Sequence, residues 1–323
     1  MTATTQRREE ETMATTRQPA VKAPAELQKS VRRSNGDAPR ERLLAGLPVT
    51  ERRLDLAGIP TATLEGGNGP PIVLLHGPGE SAVNWRWAIP ELVETHHVIA
   101  PDLPAHGRTA APEDGLDADR VCAWLSELIG RTCASPPALV GHVLGGAIAA
   151  RFAIEAGDRL SRLVLVDSLG LARFRPSPRF ALGLAGFVAR PGERSYDRFM
   201  AQCAFDLDAL RERMGDEWEP FADYKLELAR APSAKAAGKL LRTLGIPRIP
   251  PEELARISVP TSLIWGRHDR ANRLAVAEAA SARYGWPLHV IEKAADDPPR
   301  DRPEAFLRAL HVALGRTVTG SER

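Results

Sequence analysis

Residues 138–147 read Ala-Leu-Val-Gly-His-Val-Leu-Gly-Gly-Ala, and this stretch decides the fold of the chain. It begins with a short, continuous apolar run, which is typical of a strand buried on both faces of a parallel sheet. It then leads into residues 146–156, whose spacing and composition predict a helix. Glycine lets backbone segments approach closely, and three glycines lie where the predicted strand meets the predicted helix, on either side of Val143.

On both sides of this stretch, short apolar runs alternate with longer amphipathic stretches. This alternation predicts parallel strands joined by crossover helices. The predicted strands are 72–76, 98–101, 138–143, 163–167, 262–265 and 288–291, preceded by a hairpin within 53–64. The predicted helices of this part are 87–95, 118–129, 146–156, 274–284 and 303–314.

The alternation stops between Leu169 and about Pro260, where helical spacing replaces the strand pattern. We therefore predict a helical cap inserted between two strands. The predicted organisation is a core of 49–169 and 261–316, a cap of 170–260, a disordered tail of 1–48 and a short tail of 317–323. The first 48 residues are rich in Thr, Arg, Glu, Pro and Ala, and such segments bury too little apolar surface to offset the entropy of ordering.

The overall charge is nearly balanced, with 43 basic and 41 acidic residues and a formal net charge of +2. A balanced chain has no global field that would attract nucleic acid or an anionic membrane, so we expect neither partner. The cap arginines Arg173, Arg175 and Arg179 are interpreted as a solvated face. The 323 residues with 43% hydrophobic content are sufficient for one large core with an insertion.

The three cysteines do not suggest a disulfide framework, and the histidines are not spaced as metal ligands. The glycines between 67 and 79 do not form a phosphate-binding fingerprint. We therefore expect neither a metal nor a cofactor. The N-terminus lacks the apolar stretch of a secretory signal, and the apolar run 180–188 is too short to cross a bilayer, so we expect a soluble cytoplasmic protein.

Four segments in order resemble the landmarks of the α/β-hydrolase superfamily. Residues 74–79 (Leu-Leu-His-Gly-Pro-Gly) resemble its oxyanion loop, and 101–109 resemble the loop after the next strand. Residues 140–146 resemble its nucleophile elbow, and 263–269 resemble the strand that carries the triad acid. Over 52–315, the resemblance implies an α/β-hydrolase fold: a mostly parallel twisted sheet, flanked by helices, with the cap inserted between strands.

The first departure from the family lies at the elbow, where Val143 occupies the position of the nucleophilic serine. An isopropyl group has no lone pair, so no acyl-enzyme can form there. The turn also places its central residue in a left-handed conformation, which costs a β-branched residue roughly one to a few kcal/mol. Either the elbow has relaxed, or the fold stabilises Val143 in a strained conformation.

The second departure lies near the C-terminus, where the resemblance places Asp296 at the position of the triad histidine and Asp269 at that of the triad acid. A carboxylate with an ordinary pKa is a poor base for a hydroxyl. Two buried carboxyl groups close together do not both ionise easily, so one is expected to have a raised pKa. Such a pair can donate and accept a proton without a nucleophile.

The third departure is Pro78 in the oxyanion loop beside Gly77, since proline has no N–H to donate. The Leu144 N–H can still donate to an oxyanion. His142 is interpreted mainly as a structural residue next to the elbow. Trp85 is interpreted as packing of the cap on the body and as a possible apolar wall for substrate.

These residues favour a cofactor-independent enzyme that transfers protons on an apolar, carbonyl-bearing small molecule, as a lyase, isomerase or cyclase. Asp269 and Asp296 are its candidate acid and base, and Val143 shapes the pocket floor. One alternative is an inactive pseudoenzyme that binds a ligand or partner in the same cleft. Another is a hydrolase that uses an unusual nucleophile or direct attack by water.

Overall fold

The computed structural model describes residues 39–112 and 115–315. Most of the predicted tails, 1–38 and 316–323, lie outside this part of the chain. Residues 39–48 belonged to the predicted disordered tail, and there the prediction is wrong. Helix α1 (Pro39–Leu44) buries Arg40 and Leu43, and the Arg40 guanidinium donates to Tyr224 Oη at 2.9 Å.

A single eight-stranded sheet forms the centre of the molecule, in the order β1-β2-β4-β3-β5-β6-β7-β8. The strands β3 to β8 pair in parallel, while β1 and β2 pair antiparallel as the predicted hairpin, and β2 pairs antiparallel with β4. The predicted mostly parallel sheet is therefore confirmed. The strands are β1 (Thr50–Leu56), β2 (Ile59–Gly66), β3 (Pro71–Leu75), β4 (His97–Pro101), β5 (Ala138–His142), β6 (Arg162–Val166), β7 (Thr261–Gly266) and β8 (Leu288–Ile291).

Helices cover both faces of the sheet. They are α2 (Ile89–Leu92), α3 (Ala118–Thr132), α4 (Leu144–Ala156), α11 (Leu274–Tyr284), α12 (Pro298–Asp301) and α13 (Pro303–Ala313). The predicted helix 87–95 is wrong in extent, because a 3-10 helix (Ala82–Trp87) is followed only by the single turn of α2. After α2 the chain turns tightly past Gly67, whose hypothetical Cβ would lie 2.5 Å from the Val93 carbonyl oxygen.

Alternate strand residues build two cores, one on each face of the sheet. On one face Val73 and Leu75 join a cluster with Trp124 and Phe152 of the helices α3 and α4. On the other face Ile72 and Leu74 join a cluster that includes the side chains Trp85, Phe306 and Leu310. Burial of each such side chain stabilises the fold by roughly 1.5–3 kcal/mol.

Six helices lie between β6 and β7, in the interval where the sequence pattern predicted the cap. They are α5 (Pro178–Ala189), α6 (Glu193–Cys203), α7 (Leu207–Met214), α8 (Trp218–Arg230), α9 (Ala234–Leu240) and α10 (Pro251–Leu254). Their own apolar cluster includes Tyr196, Met200 and Phe221. Within the described ranges, no helix combines the length and the apolar character needed to cross a membrane.

Candidate functional site

The strand-to-helix elbow is intact although it carries no nucleophile. β5 ends at His142, α4 begins at Leu144, and Val143 between them has φ 47° and ψ −101°. A Cβ on Gly145 would lie 2.3 Å from the Leu75 carbonyl oxygen, so close packing against β3 holds the turn. Of the two alternatives for the elbow, the structure shows the strained conformation, with the side chain of Val143 half-buried.

Asp296 lies on the loop between β8 and α12, at the position that the family resemblance gave to the histidine. Its side chain is 16% exposed, and Oδ1 lies 3.6 Å from Arg300 Nη2. Burial raises the pKa of Asp296 well above its usual range, although the charge of Arg300 works in the opposite direction. The carboxyl group is therefore suited to hold a proton near neutral pH.

Asp269 follows β7 and is anchored by the backbone of its own loop. Its Oδ1 accepts hydrogen bonds from the N–H groups of Ala271 at 2.6 Å and Asn272 at 2.8 Å. Burial raises the pKa of Asp269 to about 7, even though these two hydrogen bonds favour the ionised form. Near neutral pH this carboxyl group is thus partly ionised, as a group that both accepts and donates protons must be.

Asp167 is a site residue that the sequence analysis missed. It follows β6, and its Oδ1 accepts a hydrogen bond from Gly266 N–H at 3.0 Å. Its Oδ2 and Asp269 Oδ2 are both buried, and neither accepts a hydrogen bond from an N–H or hydroxyl group of the described residues. The two buried carboxyl groups influence each other's pKa, and a carboxyl pair of this kind holds a shared proton more easily than two negative charges. Burial, followed by the charge of Asp269, raises the pKa of Asp167 well above its usual range.

One signal could have indicated Asp167 in advance. The predicted strand 163–167 ends on it, and the carboxyl ends of adjacent parallel strands lie at one edge of the sheet. β6 pairs with both β5 and β7, so this edge brings Asp167 next to the elbow and to Asp269. In the structure Asp167 has φ 44°, a backbone conformation that residues other than glycine seldom adopt.

A second buried cluster links His142 to the cap. Glu80 Oε1 accepts hydrogen bonds from Lys225 Nζ at 3.1 Å and from Asn84 Nδ2 at 2.5 Å, and Oε2 lies 3.5 Å from His142 Nδ1. His142 Nε2 lies 2.7 Å from the backbone oxygen of Asp296. Both ring nitrogens therefore face acceptors, as an imidazolium requires.

The protonation of His142 follows from this environment. Burial alone would lower the pKa of His142, but the hydrogen bond to Glu80 and the charge of Asp297 outweigh burial and raise the pKa to about 9. Burial favours protonation of Glu80, yet the charge of Lys225 holds the pKa of Glu80 well below its usual range. His142 is thus a fixed cation near neutral pH, and a charged imidazole cannot act as a base.

The candidate oxyanion donors are reduced to one. Pro78 has no N–H, and the Gly77 N–H donates to Glu80 Oε2 at 2.9 Å. Gly145 N–H donates to the His76 carbonyl oxygen at 3.1 Å. Leu144 occupies the first position of α4, where an N–H has no acceptor within its helix. Its N–H is the donor that an oxygen at the elbow can use.

Trp85 is a packing residue of the body. Its side chain is 2% exposed, and its ring centroid lies 6.3 Å from that of His142 and 6.1 Å from that of Phe306. It supports His142 from the side of the core. The sequence analysis predicted that Trp85 packs the cap on the body, whereas the structure places it in the apolar cluster of the body with Phe306. At 2% exposure it offers little surface to a substrate.

Cys203 is the thiol that lies beside Asp296. It is 4% exposed, and burial together with the charge of Asp296 raises the pKa of its thiol well above the usual range. A protonated, buried thiol is a poor nucleophile. Among the described residues, no three or more His, Cys, Asp or Glu side chains are arranged to hold a metal ion.

Around the elbow, carboxyl groups outnumber cations. Arg300 is 3% exposed, and its guanidinium lies between Asp296, Asp297 and Asp301. The cationic side chains are His142, Lys225 and Arg300, and the acidic ones are Glu80, Asp167, Asp269, Asp296, Asp297 and Asp301. Burial is the main reason why several of these carboxyl groups have raised pKa values, and neighbouring acids raise those of Asp167 and Asp296 further.

The fold and the elbow together define an α/β-hydrolase scaffold. The chain belongs to the alpha/beta hydrolase family, whose model matches residues 72–309. The 2-hydroxy-6-oxo-6-(2'-aminophenyl)hexa-2,4-dienoic acid hydrolase of Metapseudomonas resinovorans is 28% identical over 229 residues, which are 68% of this chain and 75% of the relative. The pimeloyl-[acyl-carrier protein] methyl ester esterase of Aeromonas hydrophila is 27% identical over 77% of this chain and 97% of the esterase.

Solved structures show the same fold. The 2-hydroxy-6-oxo-6-phenylhexa-2,4-dienoate hydrolase of Rhodococcus sp. strain RHA1 superimposes with a TM-score of 0.72 at 24% identity, over 83% of this chain and 99% of that chain. Coverage of the curated relatives varies widely, since the match spans only 42% of a soluble epoxide hydrolase from a Corynebacterium strain. The predicted fold class is confirmed by these similarities and by the sheet topology.

Proposed function

We propose that this protein is a cofactor-independent enzyme that transfers protons on an apolar, carbonyl-bearing small molecule, as a lyase, isomerase or cyclase. One observation carries the proposal: buried carboxyl groups with raised pKa values occupy the carboxyl edge of the sheet beside the half-buried Val143. Carboxyl groups tuned in this way are acids and bases near neutral pH.

Each group has a separate role in the proposed reaction. Asp269, with a pKa of about 7, removes a proton from the carbon next to the carbonyl group. Leu144 N–H stabilises the negative charge that then develops on the carbonyl oxygen. Asp296, protonated in the resting enzyme, donates its proton to the substrate, and Val143 shapes the floor of the pocket.

Asp167 is a positioning residue in this scheme. The pKa values of Asp167 and Asp269 depend on each other, so Asp167 supplies a partner for the proton that Asp269 gains or loses. The names of the relatives support a carbonyl-bearing substrate, since they describe an oxo-substituted dienoic acid and a methyl ester.

Hydrolysis by direct attack of water is the second candidate function. It is favoured by the same Asp167–Asp269 pair, because two carboxyl groups that share one proton activate water in aspartic proteases. The names of the relatives, which are hydrolases and an esterase, point in the same direction. In this candidate the pair is the base and water is the nucleophile, because Val143 supplies none.

Hydrogen–deuterium exchange into substrates separates the two candidates. We would incubate the protein in heavy water with a panel of apolar ketones, keto acids and esters and follow label at the carbonyl-adjacent carbon by NMR. We expect exchange with the wild-type protein and its loss in Asp269→Asn and Asp296→Asn. Asp158→Asn removes an exposed carboxyl group outside the site and serves as the matched control.

Three outcomes have distinct meanings. Exchange that survives in both site variants refutes the assigned roles. Incorporation of oxygen-18 from labelled water into an acid product, without carbon exchange, establishes the hydrolytic candidate instead. Saturable binding of a panel compound with neither reaction identifies a binding protein, and the same Asp296 variant would then change affinity alone.

A further inference from the structure

The helical hairpin of α5 and α6 leaves one face of α5 uncovered by any residue that the structure describes. The aromatic residues between the two helices pack closely, with ring centroids 5.5 Å apart for Phe180 and Phe199 and 5.6 Å apart for Phe187 and Phe199. Phe180 is the only buried residue of α5. This inner face attaches α5 to the cap, and the opposite face points away from it.

The opposite face of α5 is apolar and exposed. Leu182 and Val188 are 75% and 69% exposed, more than any other large hydrophobic residue of the described chain. Ala181, Ala185 and Ala189 are exposed on the same helix. Single exposed hydrophobic residues are ordinary, but a whole helix face of them in contact with water is unfavourable and marks an interaction surface.

Arginines line the groove that borders this apolar face on the side of α6. The groove between α5, α6 and the end of α8 has a volume of about 990 Å³, and of the described residues that line it only Glu193 is acidic. Its arginines are all exposed and are Arg179, Arg190, Arg194, Arg198 and Arg230. The Arg230 guanidinium donates to the Pro191 carbonyl oxygen at 3.1 Å. The other four have no ion pair with the residues that the structure describes.

We propose that the outer face of α5 and its arginines dock the cap onto a bilayer that contains anionic phospholipid. Leu182 and Val188 enter the boundary of the acyl chains, and the guanidinium groups bind the phosphates of the headgroups. An apolar helix face bordered by cationic side chains is the pattern of helices that lie in a membrane interface. The surface here is formally charged +4, from five arginines and one glutamate.

Two other kinds of binding partner match only one of the two features of this surface, its apolar helix face or its arginines. A second copy of the chain in a two-fold dimer would bring the same arginines face to face. An acidic protein would pair with the arginines without requiring the apolar helix face between them. This proposal departs from the expectation drawn from the net charge of +2, because a balanced total does not exclude a local cluster of one sign.

Vesicle co-sedimentation tests the proposal with the full chain. The probes are vesicles of phosphatidylcholine alone and of phosphatidylcholine mixed with phosphatidylglycerol, at low and high salt. We expect binding to the mixed vesicles only, weakened by salt. The triple variant Arg190→Gln, Arg194→Gln, Arg198→Gln is expected to lower the partition coefficient roughly a hundredfold, since each lost charge near an anionic surface weakens binding severalfold.

Matched variants separate docking from general effects. Leu182→Asp with Val188→Asp should also abolish binding, whereas Val312→Asp, at a residue 49% exposed elsewhere, should not. The triple Arg256→Gln, Arg273→Gln, Arg308→Gln removes the same charge from other exposed positions and should retain binding. All four variants carry their substitutions far from the elbow in sequence, and circular dichroism melting confirms that they fold.

Three results would overturn the proposal. They are equal sedimentation with both kinds of vesicle, an equal loss in the control variants, or self-association that disappears with Leu182→Asp. The last result would assign the surface to a second copy of the chain. Carbonyl exchange in heavy water, without vesicles, reports on the proposed chemistry separately, so failure of docking and failure of the chemistry are distinguishable.

Discussion

At the scale of single residues, the elbow keeps its shape without the group that usually needs it. Val143 has φ 47°, and its N–H donates to the Val166 carbonyl oxygen at 3.0 Å, so neighbouring strands hold it in place. A Cβ on Gly141 would lie 2.4 Å from the Gly145 carbonyl oxygen. The turn is therefore imposed by its glycines, and a strain of roughly one to a few kcal/mol at the central residue is retained.

Asp269 predicts how stability depends on pH. Its pKa is raised from the ordinary value of 3.8 to about 7 in the folded protein, so the folded state binds more protons than the unfolded state between these values. The contribution of Asp269 to the free energy of unfolding is therefore largest in acid and falls by a few kcal/mol as the pH rises from about 4 to about 7. We expect Asp269→Asn to remove this decline.

Chemical denaturation of both proteins across this pH range measures the effect. The informative quantity is the stability difference between Asp269→Asn and the wild type, which should shift in favour of the variant as the pH rises. Asp158→Asn removes an exposed carboxyl group, and its stability difference from the wild type should not change with pH. If the stability difference between Asp269→Asn and the wild type did not change with pH, the pKa of Asp269 in the folded protein would be that of an ordinary carboxyl group.

The candidate site was only partly predictable from single residues. Asp269 and Asp296 were identified because family landmarks fix their places in the chain. Asp167 and Glu80 were missed, since an acid at the end of a strand or in a loop looks like a solvated residue until its neighbours are known. Their burial depends on contacts such as Lys225 Nζ to Glu80 Oε1, which join residues 145 positions apart.

At the scale of secondary structure elements, α8 is the cap helix whose Lys225 side chain reaches the buried cluster of Glu80 and Asn84. Its buried residues include Tyr224 and Lys225, of which Tyr224 accepts from Arg40 and Lys225 donates to Asn84 Oδ1 at 2.9 Å. The helix thus connects α1, the cap and the oxyanion loop by polar contacts. These contacts determine where the cap sits relative to the elbow.

Lys225→Met should destabilise the protein by up to about 3–5 kcal/mol, because it leaves the buried Glu80 carboxylate with His142 as its remaining cationic neighbour. In the wild type, Lys225 holds the pKa of Glu80 below its usual range, so this stabilisation is present above about pH 4.5 and is lost in more acidic solution. The difference between variant and wild type should therefore shrink in acid.

Lys235→Met is the control for this prediction, since it makes the same change at an exposed position of α9. Denaturant titrations at neutral and acidic pH give both quantities. An equal loss for the two lysine variants, or a loss for Lys225→Met that does not change with pH, would contradict the ion pair as the source of stability.

Sequence periodicity predicted the elements of the body more accurately than the others. The predicted helix 274–284 matches α11, and the predicted strand 288–291 matches β8. By contrast, α1 is too short to show a helical period and is stabilised by tertiary contacts of Arg40 and Leu43. Propensity and periodicity describe local structure, so an element that depends on distant partners is missed.

At the scale of the whole molecule, charge is distributed unevenly although its sum is small. Buried acids collect around the elbow, and unpaired arginines collect on the outer face of the cap. A net charge of +2 therefore hides two regions of opposite character. The first is the region of the proposed proton transfer, and the second is the region of the proposed contact with a bilayer.

Local stability should follow the same division. α5 buries only Phe180, whereas α8 buries four residues, and few buried contacts mean a small free energy of local opening. We expect the amide hydrogens of α5 to exchange much faster than those of α8 in hydrogen exchange mass spectrometry.

Vesicles that contain phosphatidylglycerol should then slow exchange in α5 but leave β5 and α4 unchanged, because docking buries the outer face of α5 alone. Equal protection of α5 and α8 in free protein would contradict this, as would vesicle-induced protection spread over the whole chain.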